Sequence, residues 1–219
     1  MTGQAKLKTL DLVLIERWLT GWSLSRGVPL PLPLDGGLVV EVGMPEQLRR
    51  HVFLDAGQAL QACADRIHAP CIFLKAPVEP HILRRALPAR WKVENPGYFM
   101  MGPAQARTEV PMPQGYQALF GTEHGAHVVR VIHDSGELAA CGRIVLHGRT
   151  AIFDRIETSE PHRRRGLGSV VMSSLDSLAT QAGVNERLLV ATEDGRALYT
   201  HLGWSVISPW STAVLPVAC

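Results

Sequence analysis

Residues Asp154–Ser169, DRIETSEPHRRRGLGS, gather the side chains in this chain best suited to chemistry. A β-patterned run leads into a basic loop, glycines follow at Gly166 and Gly168, and an apolar-periodic stretch opens directly after them. Free N–H groups at a helix start, with the positive end of the helix dipole, form an anion site. Arg163, Arg164 and Arg165 add three formal charges to it, so the segment reads as a phosphate cradle. Two common cradles are excluded. A Walker loop needs Gly-Lys followed by Ser or Thr, and neither glycine precedes a lysine. The dinucleotide fingerprint G-x-G-x-x-G has Val171 where its third glycine belongs, and the strand before it does not open the chain's first βαβ unit.

Two carboxylates flank the entry to this loop. A strand over 151–158 with a period of two puts Ile152, Asp154, Ile156 and Thr158 on one face and Phe153, Arg155 and Glu157 on the other. Asp154 is then either a proton acceptor or an ion-pair partner of Arg143 or Arg155. The histidines at 124, 127 and 133 lack the partner spacing of a zinc site, so no metal is expected. Cys141 falls mid-strand and reads as a small buried hydrophobe, and Cys219 as a free thiol on a tail.

The elements that must position these groups follow from periodicity. Leu12, Ile15, Leu19 and Trp22 place one apolar face on a helix over about 11–25. Short β-branched runs at 38–42, 48–54, 71–74 and 91–100 alternate with helices over 56–67 and 79–87. The Pro-x-Pro-x-Pro of residues 29–33 reads as a rigid connector. In the second half, strands are expected at 127–133, 137–146 and 150–158, then a helix over 168–182, a strand at 188–191, a helix over 195–202 and two further strands at 204–208 and 212–217. A Pro- and Gly-rich stretch separates the chain into 1–105, a linker over 106–114, and 115–219.

Composition sets the outer bounds. The 219 residues carry 22 Lys+Arg against 20 Asp+Glu, and this near-neutral sum argues against a nucleic-acid partner, since the basic residues concentrate in one phosphate-sized loop. No apolar run approaches the ~20 residues that span a bilayer, so no membrane partner is expected. Four cysteines without C-x-x-C spacing, and no basic-then-apolar leader, favour a reducing cytoplasm.

The pattern Arg-x-x-Gly-x-Gly, at Arg163, Gly166 and Gly168, resembles the acyl-CoA pyrophosphate loop of the GNAT superfamily of N-acetyltransferases. The resemblance extends over about residues 126–208. It closes on Ala197-Leu198-Tyr199 and Gly203-Trp204, similar to that family's ALY-x-x-x-GF signature. It implies an α/β fold with a mixed, mainly antiparallel central sheet and flanking helices. The implied reaction moves an acetyl or short acyl group from acetyl-CoA to a primary amine by direct attack in a ternary complex. Main-chain N–H groups from Arg163 through Gly166, Leu167 and Gly168 to Ser169 would hold the pyrophosphate, with the arginine side chains near CoA phosphates. Main-chain groups of Ile156 to Thr158 would take the pantetheine arm as an added strand. Tyr199 matches the general acid, and Asp154 or Glu157 is the candidate base; the position that carries Glu in some members is Ile152 here. The face bearing Asp154 is expected to meet substrate. Thr192 stands where the family often has Asn, which leaves a pantetheine contact there open.

The first half has no such loop, since its equivalent stretch reads GMPEQLRRHVFLDAG over 43–57. The resemblance therefore implies a degenerate GNAT-like N-terminal half beside one acyl-CoA site. Its first helix or Pro-rich loop would wall the acceptor site, in cis or from the other subunit of a homodimer. The acceptor is a small-molecule amine or a protein or peptide amine. A non-catalytic acyl-CoA-sensing or partner-binding module of the same fold is the alternative.

Overall fold

Asp11 accepts a hydrogen bond from the Leu14 N–H at 2.7 Å and opens helix α1 (Leu12–Arg26), which Gly27 stops in the left-handed conformation at φ 64°. Leu14, Ile15, Trp18, Leu19 and Trp22 form its buried stripe. The computed structural model describes residues 10–104 and 109–217. After α1 come β1 (Leu32–Leu34), β2 (Gly37–Met44), β3 (Gln47–Val52), α2 (Gln58–Arg66), β4 (Ile72–Ala76), α3 (Pro80–Ala86), β5 (Lys92–Val93) and β6 (Gly97–Met101). Then follow β7 (Tyr116–Glu123), β8 (Ala126–His133), β9 (Leu138–His147), β10 (Thr150–Thr158), a 3-10 turn (Glu160–His162), α4 (Leu167–Gln181), β11 (Glu186–Thr192), α5 (Glu193–His201) and β12 (Ser205–Val214).

The strands form one sheet in the order β1-β2-β3-β4-β12-β6-β11-β10-β9-β8-β7, with β5 beside β12. Only β3 with β4 and β10 with β11 run parallel, so the sheet is mixed and mainly antiparallel, as the resemblance implies. Helix α1 covers one face through Ile152, Leu188, Phe99, Trp210, Val40 and Val52. Helices α4 and α5 cover the other face around Phe153, Ile144 and Leu189, and α2 and α3 extend that layer around Phe53, Leu74 and Ala213. On the α1 face Trp18 packs edge-on to Phe99 and Trp210, with ring centres 5.5 and 5.0 Å away.

The boundary expected at 106–114 does not divide this sheet. Strand β6 lies N-terminal to it yet pairs with β11 and β12, and β12, the last strand of the chain, pairs with β4. The order strand, helix, parallel strand, helix occurs twice, as β3–α2–β4–α3 and as β10–α4–β11–α5, and the closing strand of each set lies beside the other set. Two local expectations also change. The strands expected at 204–208 and 212–217 are one continuous β12, which bridges the two sets by pairing β6 with its first half and β4 with its second. The Pro-rich stretch is more than a connector, since Leu32, Pro33 and Leu34 pair with β2 at the sheet edge, where proline is tolerated. Cys219 and residues 105–108, which include the start of the linker, lie outside the described residues.

Candidate active site

Strand β10 pairs with β9 along its length but with β11 only over Thr150–Ile152 and Glu186–Leu188. Beyond those residues the two parallel strands part toward their C-terminal ends. The cause lies in β10, where register against β9 shifts between Asp154 and Glu157 and Arg155 takes φ 51°. Such a bulge adds a residue to one strand and bends it away from its neighbour. The main-chain groups of Phe153–Thr158 on the β11 side, and those of Leu189–Thr192 facing them, are left with an open edge. An extended chain can add hydrogen bonds there, as Ile156 and Thr158 were expected to do.

The bulge also corrects the simple alternation. Ile152 and Asp154 face α1, as expected of one set, and Phe153 faces α4. After the extra residue the parity inverts, so Ile156 packs toward α4 beside Gly142, Val171 and Leu175. Glu157 pairs opposite Cys141 and joins Asp154 on the α1 face. Both candidate carboxylates therefore share the face that was expected to carry only one. Cys141 is half-buried, and burial, then the Glu157 charge, push its thiol up, in keeping with an unreactive side chain.

Asp154 is an ion-pair partner, though of neither residue expected. Arg26, in the last turn of α1, closes on it from Nε at 3.0 Å and from Nη2 at 2.9 Å, and the Ser25 hydroxyl donates to it at 2.6 Å. Arg143 lies directly opposite Asp154 in register, but its guanidinium goes to Glu123 and to the Ser25 carbonyl, and Arg155 is exposed and makes no ion pair with Asp154. Helix α1 is thereby bolted to β10 at the start of the opening. Arg26 and Ser25 were missed by the sequence reading. The available signal was a basic residue just before a helix-stopping glycine, which says nothing of a carboxylate 128 residues away.

At the open end, residues 163–169 lead from the end of β10 through the 3-10 turn's exit into α4. Gly166 precedes α4 at φ 80°, a left-handed conformation that suits glycine. Arg164 takes φ 62° in the same loop, also in the left-handed region. The first bonded amide is that of Ser169, to Gly166, which leaves the Leu167 and Gly168 N–H groups without a main-chain acceptor. A Cβ at Gly168 would meet the Leu198 Cδ2 methyl at 2.9 Å, so that side chain would have to shift to admit one. Arg163, Arg164 and Arg165 are exposed; Arg163 Nε reaches the Thr158 carbonyl at 3.3 Å and Arg165 reaches that of Pro161 at 3.4 Å. Those bonds brace the loop on the end of β10 and leave other guanidinium N–H groups for an anion.

Tyr199 stands on α5, next after β11, with its ring against Gly195 and Trp204. It is 7% exposed, and its hydroxyl has no hydrogen-bond partner among the described residues. Burial, and next the charge of Asp154, push the phenol well up, so it stays protonated across the neutral range. Thr192 caps α5, accepting from the Gly195 N–H at 3.2 Å, and this fixes the end of β11. Among the described residues, no group of three or more His, Cys, Asp and Glu could hold a metal ion, and no helix is long and apolar enough to cross a membrane.

The arrangement has recognisable relatives. A GCN5-related N-acetyltransferase from Kribbella flavida superposes with a TM-score of 0.65 at 11% identity, over 93% of this chain and 96% of that one. A tandem GNAT protein from the clavulanic acid biosynthesis pathway gives 0.52 at 15% identity, over 67% of this chain and 65% of that one. At such identities the likeness is one of fold. In sequence, the uncharacterized protein YyaT of Bacillus subtilis (strain 168) is 26% identical over 78 residues, 36% of this chain and 53% of that protein. The chain thus spans about half the length of the curated relative it matches. A family model described as acetyltransferase (GNAT) family matches residues 90–204, more than half of the chain and including β6, the bulged strand, the cradle and Tyr199. The chain belongs to the GNAT family of acetyltransferases.

Proposed function

We propose that the protein transfers an acetyl or short acyl group from acetyl-CoA to a primary amine by direct attack in a ternary complex. The observation that carries this reading is convergence: the open edges of β10 and β11, the Gly166 turn that opens α4 and the side chain of Tyr199 belong to one end of the sheet. The residues present suit acetyl-CoA as donor. The cradle from Arg163 to Ser169 would take the pyrophosphate, and the edge at Ile156–Thr158 the pantetheine amides.

Glu157 serves as base in this reading. Its carboxylate is exposed and has no hydrogen-bond or ion-pair partner among the described residues, whereas both oxygens of Asp154 are engaged. Glu157 removes a proton from the ammonium, directly or through a water. The amine nitrogen then bonds to the thioester carbonyl carbon, the C–S bond breaks, Tyr199 O–H donates its proton to the leaving thiolate, and the nitrogen's remaining excess proton passes through water to restore the phenol. A neutral phenol can do so without first acquiring a proton, and Asp154 positions α1 against the site. We also infer that residues 1–105 are a degenerate copy of the same unit. The repeated element order and the exchanged closing strands support this, as does the description of one solved relative as a tandem protein. In this arrangement α1 walls the acceptor site in cis, and a cytoplasmic location suits the chemistry.

Calorimetric titration with acetyl-CoA, CoA, ATP and NAD, followed by acyl-transfer assays on an amine panel, tests the proposal. Binding of the two CoA species alone, with turnover that Tyr199→Phe abolishes, is expected. Turnover unchanged in Tyr199→Phe removes that residue from the chemistry, and CoA binding without turnover on any amine favours the sensing module.

A further inference from the structure

Three cations gather on the α1 face of the sheet, at the C-terminal end of that helix. Arg26 holds Asp154, and its guanidinium lies 4.6 Å from the centre of the Trp22 ring. The Arg50 guanidinium, from β3, lies 3.6 Å from the same ring. Lys75, from β4, pairs with Val52 on one side and with Thr212 on the other, so it shares the face with Arg50 two residues along. Its ammonium donates to Thr212 Oγ1 at 2.7 Å.

The charges are not balanced. Arg50 is 7% exposed, yet its only polar contact among the described residues is Nη2 to Gln47 Oε1 at 3.2 Å, and its Nε is buried without an acceptor. No carboxylate pairs with Arg50 or Lys75 among the described residues. Asp154 is closed on Arg26 and Ser25, and Glu94 bonds to Lys92 at 3.1 Å. Burial, then repulsion from Arg26, pulls Arg50 down to about 9; burial, then Arg50 and Arg26, pulls Lys75 well below its ordinary value. Unpaired buried cations are costly, and an anion between them would give Arg50 Nε an acceptor and offset the repulsion.

Position tells which anion this is. The cluster lies on the α1 face, whereas the cradle for CoA phosphates starts α4 on the opposite face. Through Arg26 it touches Asp154, whose charge reaches Tyr199, so it adjoins the acceptor side of the opening. We propose that the acceptor amine carries its own compact anionic group, a carboxylate or phosphate, that binds between Arg50 and Lys75 while the amine is directed at the β10–β11 opening. This rests on the acyl-transfer reading above.

The test measures acetylation of three matched series with acetyl-CoA: unbranched ω-amino carboxylates of increasing length, their carboxamides, and ω-aminoalkyl phosphates. One charged series is expected to exceed the carboxamides by about tenfold or more in kcat/KM, the worth of a hydrogen bond to a charged group. Which charged series leads identifies the anion. Lys75→Met and Arg50→Gln should collapse that preference through the KM of the amine, while KM for acetyl-CoA holds, and Arg50→Lys should restore part of it. Should Arg50→Gln not fold without its stack on Trp22, Lys75→Met at a half-buried position carries the test. Equal use of carboxylate, phosphate and carboxamide, or a preference that survives Lys75→Met, overturns the proposal. If no amine in any series is acetylated, the acyl-transfer reading fails for them and the anion site is read by melting temperature. Succinate or inorganic phosphate should then stabilise the wild type and not Lys75→Met, and equal shifts overturn the site itself.

Discussion

The sets β3–α2–β4–α3 and β10–α4–β11–α5 share an order of elements and differ at every feature that a CoA site requires. In the second set the parallel strands part after three paired positions; in the first, four positions pair and the Phe53 N–H continues to the Lys75 carbonyl at 2.9 Å. No slot opens between β3 and β4. At the start of α4 the Leu167 and Gly168 N–H groups have no main-chain acceptor among the described residues and follow three exposed arginines, whereas at the start of α2 the Asp55 carboxylate already accepts from the Gly57 N–H at 2.7 Å. A built-in anion holds the place of a phosphate and repels one. Gly57 takes φ −80°, an ordinary conformation, where Gly166 takes φ 80°. Helix α3, PHILRRA, has no tyrosine. In the proposed reading the fold alone does not make the site; a bulge, a helix start with free amides and the Tyr199 phenol do.

The largest expected effect breaks the second set at its chemistry. Tyr199→Phe should lower kcat by roughly 10²–10⁴, the usual worth of a positioned acid, with KM for acetyl-CoA little changed. Steady-state kinetics on a responsive amine would check this, and a rise in KM alone would assign the phenol to binding.

The next distinguishes the sets by acid stability. Burial, then the Arg49 charge, hold His51 of β3 at about 4, against its ordinary 6.5. Above pH 6.5 the imidazole is neutral in both the folded and unfolded states, so its contribution is fully present there. That contribution is lost as pH falls from 6.5 toward about 4, because only the unfolded chain takes up the proton. The full loss is about 3 kcal/mol, and it should appear as a change of that size in the stability difference between wild type and His51→Leu as pH falls from 6.5 toward 4, read by urea unfolding at successive pH values. A constant difference across that range would contradict the assignment.

Smaller effects sharpen the contrast between helix starts. Gly166→Val should weaken acetyl-CoA binding by roughly thirtyfold, about 2 kcal/mol, since a β-branched residue resists the left-handed conformation that aims the amides. Asp55→Ala should leave acetyl-CoA affinity in place and cost at most about 1 kcal/mol of stability, the worth of one exposed hydrogen bond. Calorimetry and chemical unfolding on the same two variants read both numbers, and an acetyl-CoA affinity that follows Asp55 would erase the distinction.

Much of this was legible in the chain because it is local. Hydrophobic period and glycine placement located α1, α4 and α5 to within a residue or two, and the glycines at 166 and 168 fall where α4 begins. What escaped depends on contacts distant in sequence. The bulge at Arg155 follows no turn signal, and it reversed the faces of Ile156 and Glu157. The insertion of β6 between β11 and β12 is a pairing choice that no window of residues encodes. The Arg26–Asp154 pair and the Arg50–Lys75 cluster join helix and strands that only the folded sheet brings together.

The central claim is one acyl-CoA site per chain, at the β10–β11 opening. Calorimetric titration of the wild type and Gly166→Val with acetyl-CoA tests it most directly. A stoichiometry of one, with affinity falling by more than tenfold in the variant, is the predicted result. A stoichiometry of two, or an isotherm that the substitution leaves unaltered, would contradict it.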